Sequence, residues 1–129
     1  MAKVSGIEKA FASYGADLVN RNWAVSSIID GAAVMSLWAH KFEKGMVYKD
    51  QLSRWPGLGN NLFRKHLQQV VDEKLPIRLV IATSSNPGAV DRGEDASKFK
   101  NTFAVRPELV GQLEHFDGDK FQVLFSKAP

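Results

Sequence analysis

The chain has 129 residues, 44% hydrophobic and 24% charged, with a formal net charge of +3 and no cysteine. This is the balance of one folded domain spanning 1–129 rather than of a disordered tail, and the missing thiols exclude disulfides, thiolate nucleophiles and zinc–thiolate sites. MAKVSGIEKAF has no apolar stretch of signal-peptide length, and the longest apolar run, AAVMSLWA, falls far short of the roughly 20 residues of a membrane span; the expectation is a cytoplasmic protein with no membrane segment.

The first element is a short helix over residues 7–14, ended by Gly15, with Ile7, Ala10, Phe11 and Tyr14 on one face. From Trp23 the pattern turns strand-like. WAVSSII and AVMSLWAHKF flank Asp30-Gly31, which reads as a hairpin turn. On the second strand Ser36, Trp38 and His40 share a face. A third strand, MVYKDQLSRW, follows a turn at Lys44-Gly45.

The clearest helix follows SRWPGLGNN. Leu62, Phe63, His66, Leu67, Val70 and Val71 recur at helical spacing, Arg64, Lys65, Gln68, Gln69 and Asp72 face outward, and Asn60 or Asn61 suits the N-cap. Pro76 stops it. IRLVIAT then alternates Ile77, Leu79 and Ile81 with Val80 and Ala82, both sets apolar, which predicts a central strand buried on both faces. Residues 84–101 form an unusually long polar connection, the kind that serves as a lid or stays flexible.

The chain closes with FAVR, Pro107 and a hairpin, LVGQLEHF and KFQVLF joined by Asp117-Gly118-Asp119. With a three-residue loop Leu113 faces Val123 and His115 faces Phe121, so the apolar faces agree. The expected fold class is α+β: a curved mixed or antiparallel sheet, closed in one version into a small barrel, with one strong amphipathic helix and a short N-terminal helix.

Charge is concentrated rather than spread. Eight basic residues and four acidic ones lie between Lys41 and Arg78, interleaved with Tyr48, Trp55 and Phe63, while the remainder is slightly acidic. Basic side chains among aromatics suit phosphate contact and base stacking; the alternative is a solvated helix face with scattered lysines. The loop before the main helix offers a helix N-terminus, yet PGLGNN matches neither GxGxxG nor GxxxxGK[ST], so nucleotide hydrolysis is not expected.

Trp23, Trp38 and Trp55 lie on three successive elements, and with Ser36 and His40 they are candidates for an aromatic pocket that holds a base. The competing reading makes each a core anchor. His40, His66 and His115 share no metal-ligand spacing, and no metal or cofactor is expected. Asp72-Glu73-Lys74 sits at a helix end instead of on a strand, DRGED lacks the calcium-loop pattern, and no GxSxG elbow occurs. No catalytic residue is assigned.

The order of WAVSSII, the basic helix after SRWPGLGNN, IRLVIAT and VGQLEHFDGDKFQVLF resembles the PUA-like superfold, which includes the EVE and SRA-type readers of modified bases. The resemblance is one of pattern across most of the chain, and no motif transfers a binding residue. It implies a compact barrel holding a flipped or single-stranded base between aromatic side chains.

The function expected is a small non-enzymatic nucleic-acid-binding module, with Trp38 or Trp55 stacking and Lys49, Arg54, Arg64 and Lys65 on phosphates. One alternative is an accessory or inhibitory protein whose partner is contacted by the 84–101 loop. Another is a small-molecule enzyme with His40 in its pocket.

Overall fold

The computed structural model describes residues 2–4, 6–20, 24–55, 57–94 and 100–128. Among the described residues nine strands form one mixed sheet: β1 (Ala2–Val4), β2 (Ser26–Ile29), β3 (Ala32–Trp38), β4 (Phe42–Glu43), β5 (Val47–Gln51), β6 (Ile77–Ser84), β7 (Asn101–Val105), β8 (Leu109–Phe116) and β9 (Lys120–Lys127). The helices are α1 (Ile7–Ala12), α2 (Leu58–Glu73) and α3 (Pro87–Asp91), with single 3-10 turns at Ala39–Lys41 and Leu52–Arg54.

Strand β6 is the hub. One edge pairs in parallel with β3, from Ala33↔Ile77 to Trp38↔Ala82; the other pairs antiparallel with β7 along Val80 to Ser84 and with β8 at Ile77↔Gly111. Its two apolar sets are both covered, as the sequence predicts. Ile77 and Leu79 join the large core with Met35, Leu37, Phe63 and Leu67, while Val80 meets Val34, Val105, Ala10 and Phe11 beneath α1. Helix α2 therefore lies on one side of the sheet and α1 on the other.

The sheet does not close into a barrel. Its path runs β1-β7-β6-β8-β9-β5-β4, with β3 and then β2 on the far edge of β6, and among the described residues no ladder joins β4 or β5 to β2 or β3. The reason lies in α2. Its buried stripe, Phe63, Leu67 and Val70, fills the concave side against Met35, Tyr48, Phe121 and Val123, so the helix supplies the core that strand closure would otherwise provide.

Three local expectations also change. Helix α2 begins at Leu58 with Gly57 as N-cap (φ +113) and no side-chain cap. Asn60 instead sits buried in the first turn, its Nδ2 donating to the carbonyls of Leu52 (2.5 Å) and Trp55 (2.6 Å). Leu113 pairs with Val123 as expected, but a bulge between Leu113 and His115 sets His115 against Gln122 and Phe116 against Phe121. The bulge absorbs the extra residue, Glu114, whose carboxylate accepts from Gln122 at 3.0 Å. Finally, the 84–101 connection is not bare loop. It contains α3, started by Asn86, whose side chain accepts from the Ala89 N–H, and Ala89 and Val90 are buried; residues 95–99 lie outside the described residues.

Candidate functional site

Strand alternation puts Tyr48 and Asp50 on the inward face of β5, and a carboxylate there must be paired. Asp50, 2% exposed, receives Arg54 as a fork, Nε to Oδ1 at 2.8 Å and Nη2 to Oδ2 at 2.7 Å. Tyr48 donates its hydroxyl to Oδ2 at 2.9 Å. Burial, reinforced by the adjacent carboxylate, pushes the Tyr48 pKa well above its ordinary 10.0, so this phenol remains a donor.

The network continues to α3. Lys41 Nζ lies 3.7 Å from Asp50 and 3.4 Å from Asp91, and His40 Nε2 bonds Asp91 Oδ1 at 2.8 Å. The bond from His40 is the main cause holding the Asp91 carboxyl below its ordinary 3.8. Arg54 Nη1 donates to the Val90 carbonyl at 2.7 Å, and Gly93 (φ +75) packs so tightly that a Cβ would overlap the Arg54 carbonyl oxygen. Three polar links and one backbone contact thus fasten α3 to the edge of the sheet.

Beside this network opens a cleft of about 560 Å³. Lys49 and Lys120 form its strand wall, Lys41, Arg54 and Asp91 the wall toward α3, and His115 also borders it. Lys49 lies 3.5 Å from Glu43, both side chains about half exposed; Lys120 makes no ion pair among the described residues. A second groove, about 670 Å³, separates the end of α2 from β8 beside Val71 and Leu113.

The residues singled out from the sequence fall into two groups. Trp38, half-buried at the end of β3, lies 6.3 Å from the His40 ring. Trp55, half-buried on Phe63 (6.1 Å), is covered by the Arg54 guanidinium at 4.4 Å. Helix α3 bridges the two groups through His40 and Arg54, yet neither tryptophan lines either cleft. Ser36 is half-buried, with its N–H on the Val25 carbonyl at 2.8 Å. Trp23 lies outside the described residues.

Arg54 spends every donor group on protein partners. Arg64 and Lys65 are exposed on α2; the Arg64 Nη1 donates to the Gly118 carbonyl at the β8–β9 turn, and Lys65 has no ion pair among the described residues. Ser53 anchors the same turn, its N–H on Asp119 Oδ1 at 2.7 Å. Lys120 and Lys49 share the sheet face turned away from α2, since Lys120 pairs with Gln51 and Gln122 with Lys49, and Arg64 reaches the adjoining β8–β9 turn from α2.

Sequence reasoning passed over Lys41, Asp50, Asp91, Lys120 and His115. For Asp50 a signal existed: an inward carboxylate two residues after Tyr48, with an arginine four residues on. Among the described residues no three His, Asp or Glu side chains converge as a metal would require, and no helix is long and apolar enough to cross a membrane. Compared with protein-family models, curated proteins and solved structures, the chain matches none.

Proposed function

We propose that the chain is a small nucleic-acid-binding module that grips phosphates along the edge from α2 over the β8–β9 turn to β5. What supports this reading is four exposed cations around one end of the sheet, Lys49 and Lys120 on one face of β5 and β9, and Arg64, beside Lys65 on α2, at the adjoining β8–β9 turn. Several exposed cations on one part of the surface give affinity for a phosphate backbone without base readout. Arg54, held by three hydrogen bonds to Asp50 and Val90, serves as the brace that fixes the cleft wall. Trp38, half-exposed beside His40, is the stacking surface for an unpaired base.

The packing of α3 bears on the competing readings. A connection held down by Arg54, Lys41 and His40 acts as the wall of a ligand cleft, which favours a ligand over a protein partner captured by a protruding loop. Anisotropy of a labelled single-stranded oligonucleotide at low salt tests the reading. Binding should weaken when Arg64→Ala and Lys65→Ala are combined, and an absence of binding would rule it out.

A further inference from the structure

We infer that the cleft beside Asp50 is a terminal-phosphate subsite, which takes the phosphate monoester at the end of a single strand whose backbone follows the cationic edge. The inference rests on the nucleic-acid reading and adds to it a ligand class. Charge is the first argument. Four of the lining side chains are cationic, Lys41, Lys49, Arg54 and Lys120, and two are anionic, Asp50 and Asp91, leaving two net positive charges. A phosphate monoester carries about −1.5 to −2 at pH 7, whereas an internal phosphodiester carries one negative charge.

The second argument is which groups are free to bind. Asp50 and Arg54 are consumed by each other, so they set the wall but take no ligand. Lys120 has no ion pair among the described residues, and Lys49 has only a solvent-exposed contact with Glu43 at 3.5 Å. Lys41 stands 3.4 Å and 3.7 Å from its two carboxylates, beyond the roughly 2.7–2.9 Å of a direct charge-assisted bond. It offsets their charge and helps to hold α3, so Lys49 and Lys120 are the cations left to meet a phosphate. His115, 3.6 Å from Asp117 and largely exposed, adds a further donor.

The third argument is shape. Helix α3 is fastened along one side of the cleft by His40, Lys41 and Arg54 and borders it with Asp91, so a strand arriving along β5 and β9 meets α3 at that side. The volume of about 560 Å³ lies inside the range of roughly 300–1,000 Å³ of ligand sites and accommodates a phosphate with its nucleoside.

One internally labelled single-stranded sequence, prepared with a 5′-phosphate, a 3′-phosphate or hydroxyls at both ends, tests the inference by anisotropy, with inorganic phosphate titrated separately and followed by amide NMR shifts. One phosphorylated end should bind at least tenfold tighter than the hydroxyl-ended strand. Lys120→Gln, an exposed position whose folding is checked by circular dichroism, should abolish that advantage. Equal affinity for all three strands overturns the subsite while leaving the cationic edge standing. Shifts with inorganic phosphate alone, without discrimination among strands, also overturn it and identify a free-phosphate site. If no strand binds, the nucleic-acid reading itself fails.

Discussion

Arg54 and Asp50 form a two-bond fork at 2.8 Å and 2.7 Å, with side chains only 9% and 2% exposed. A pair this deeply buried is fixed in place less by the energy of the pair than by the cost of separating it. Asp50→Ala leaves a guanidinium buried without its counter-charge, and such a change costs about 3–5 kcal/mol. Arg54→Lys also fails, because an ammonium cannot reproduce the fork or the stack on Trp55. Urea denaturation of Asp50→Ala measures this; a loss below about 1 kcal/mol, the scale of an exposed pair, would contradict it.

The same brace governs α3. Gly93→Ala combines a left-handed φ of +75 with overlap on the Arg54 carbonyl, so it should release α3 before it unfolds the sheet. Hydrogen exchange should accelerate at the amides of Arg92 and Gly93, which bond Gly88 and Val90, while β6 amides stay protected. Uniform acceleration across the sheet would show that α3 is not a separable unit.

A packing test lies on the other side of the core. A Cβ at Gly111 would stand 2.5 Å from the Phe125 ring, and Phe125 has neighbours in Phe42 (5.8 Å) and the main cluster. Gly111→Ala should lower stability by about 1–3 kcal/mol, the usual cost of overpacking, with the combined Gly111→Ala and Phe125→Leu variant recovering part of it.

His66 gives the pH dependence. It is half-buried with Nδ1 bonded to Ser26 Oγ at 2.7 Å, and burial first, then the charge of Lys65, lowers its pKa from the ordinary 6.5. The unfolded chain therefore binds this proton more readily than the folded one, so stability must rise with pH through this window. Stability is lost as pH falls below 6.5 and levels off below the lowered folded value. The imidazole NMR titration should show a midpoint under 6.5, and His66→Gln should flatten the stability profile there; a midpoint at or above 6.5 would contradict the assignment.

Much of the fold was legible from periodicity. The double alternation of IRLVIAT marked a strand covered on both faces, and Phe63, Leu67 and Val70 marked the buried stripe of α2. Val71, given the same status from spacing, is 45% exposed, bordering the groove between α2 and β8. Asn60 looked like a cap because its side chain suits one, but the helix starts earlier, at Leu58, and the Asn60 Nδ2 donates to the carbonyls of Leu52 and Trp55. Barrel closure was illegible, since it depends on where α2 packs rather than on any local pattern. The candidate site was legible only in part: Lys49, Arg64 and Lys65 were picked for charge, whereas Lys120 and Asp91 come to it through the long-range β5–β9 register and a short helix that sequence spacing does not encode.

The most direct test of the cationic edge is the salt dependence of single-strand binding. Each phosphate neutralised should contribute about −0.7 to the slope of log K against log salt, so removing Lys49, Arg64, Lys65 and Lys120 together as alanines should flatten the wild-type slope by about 2.8 units, up to the number that engage. No binding at low salt, or a slope unchanged in the fourfold variant, would contradict the account.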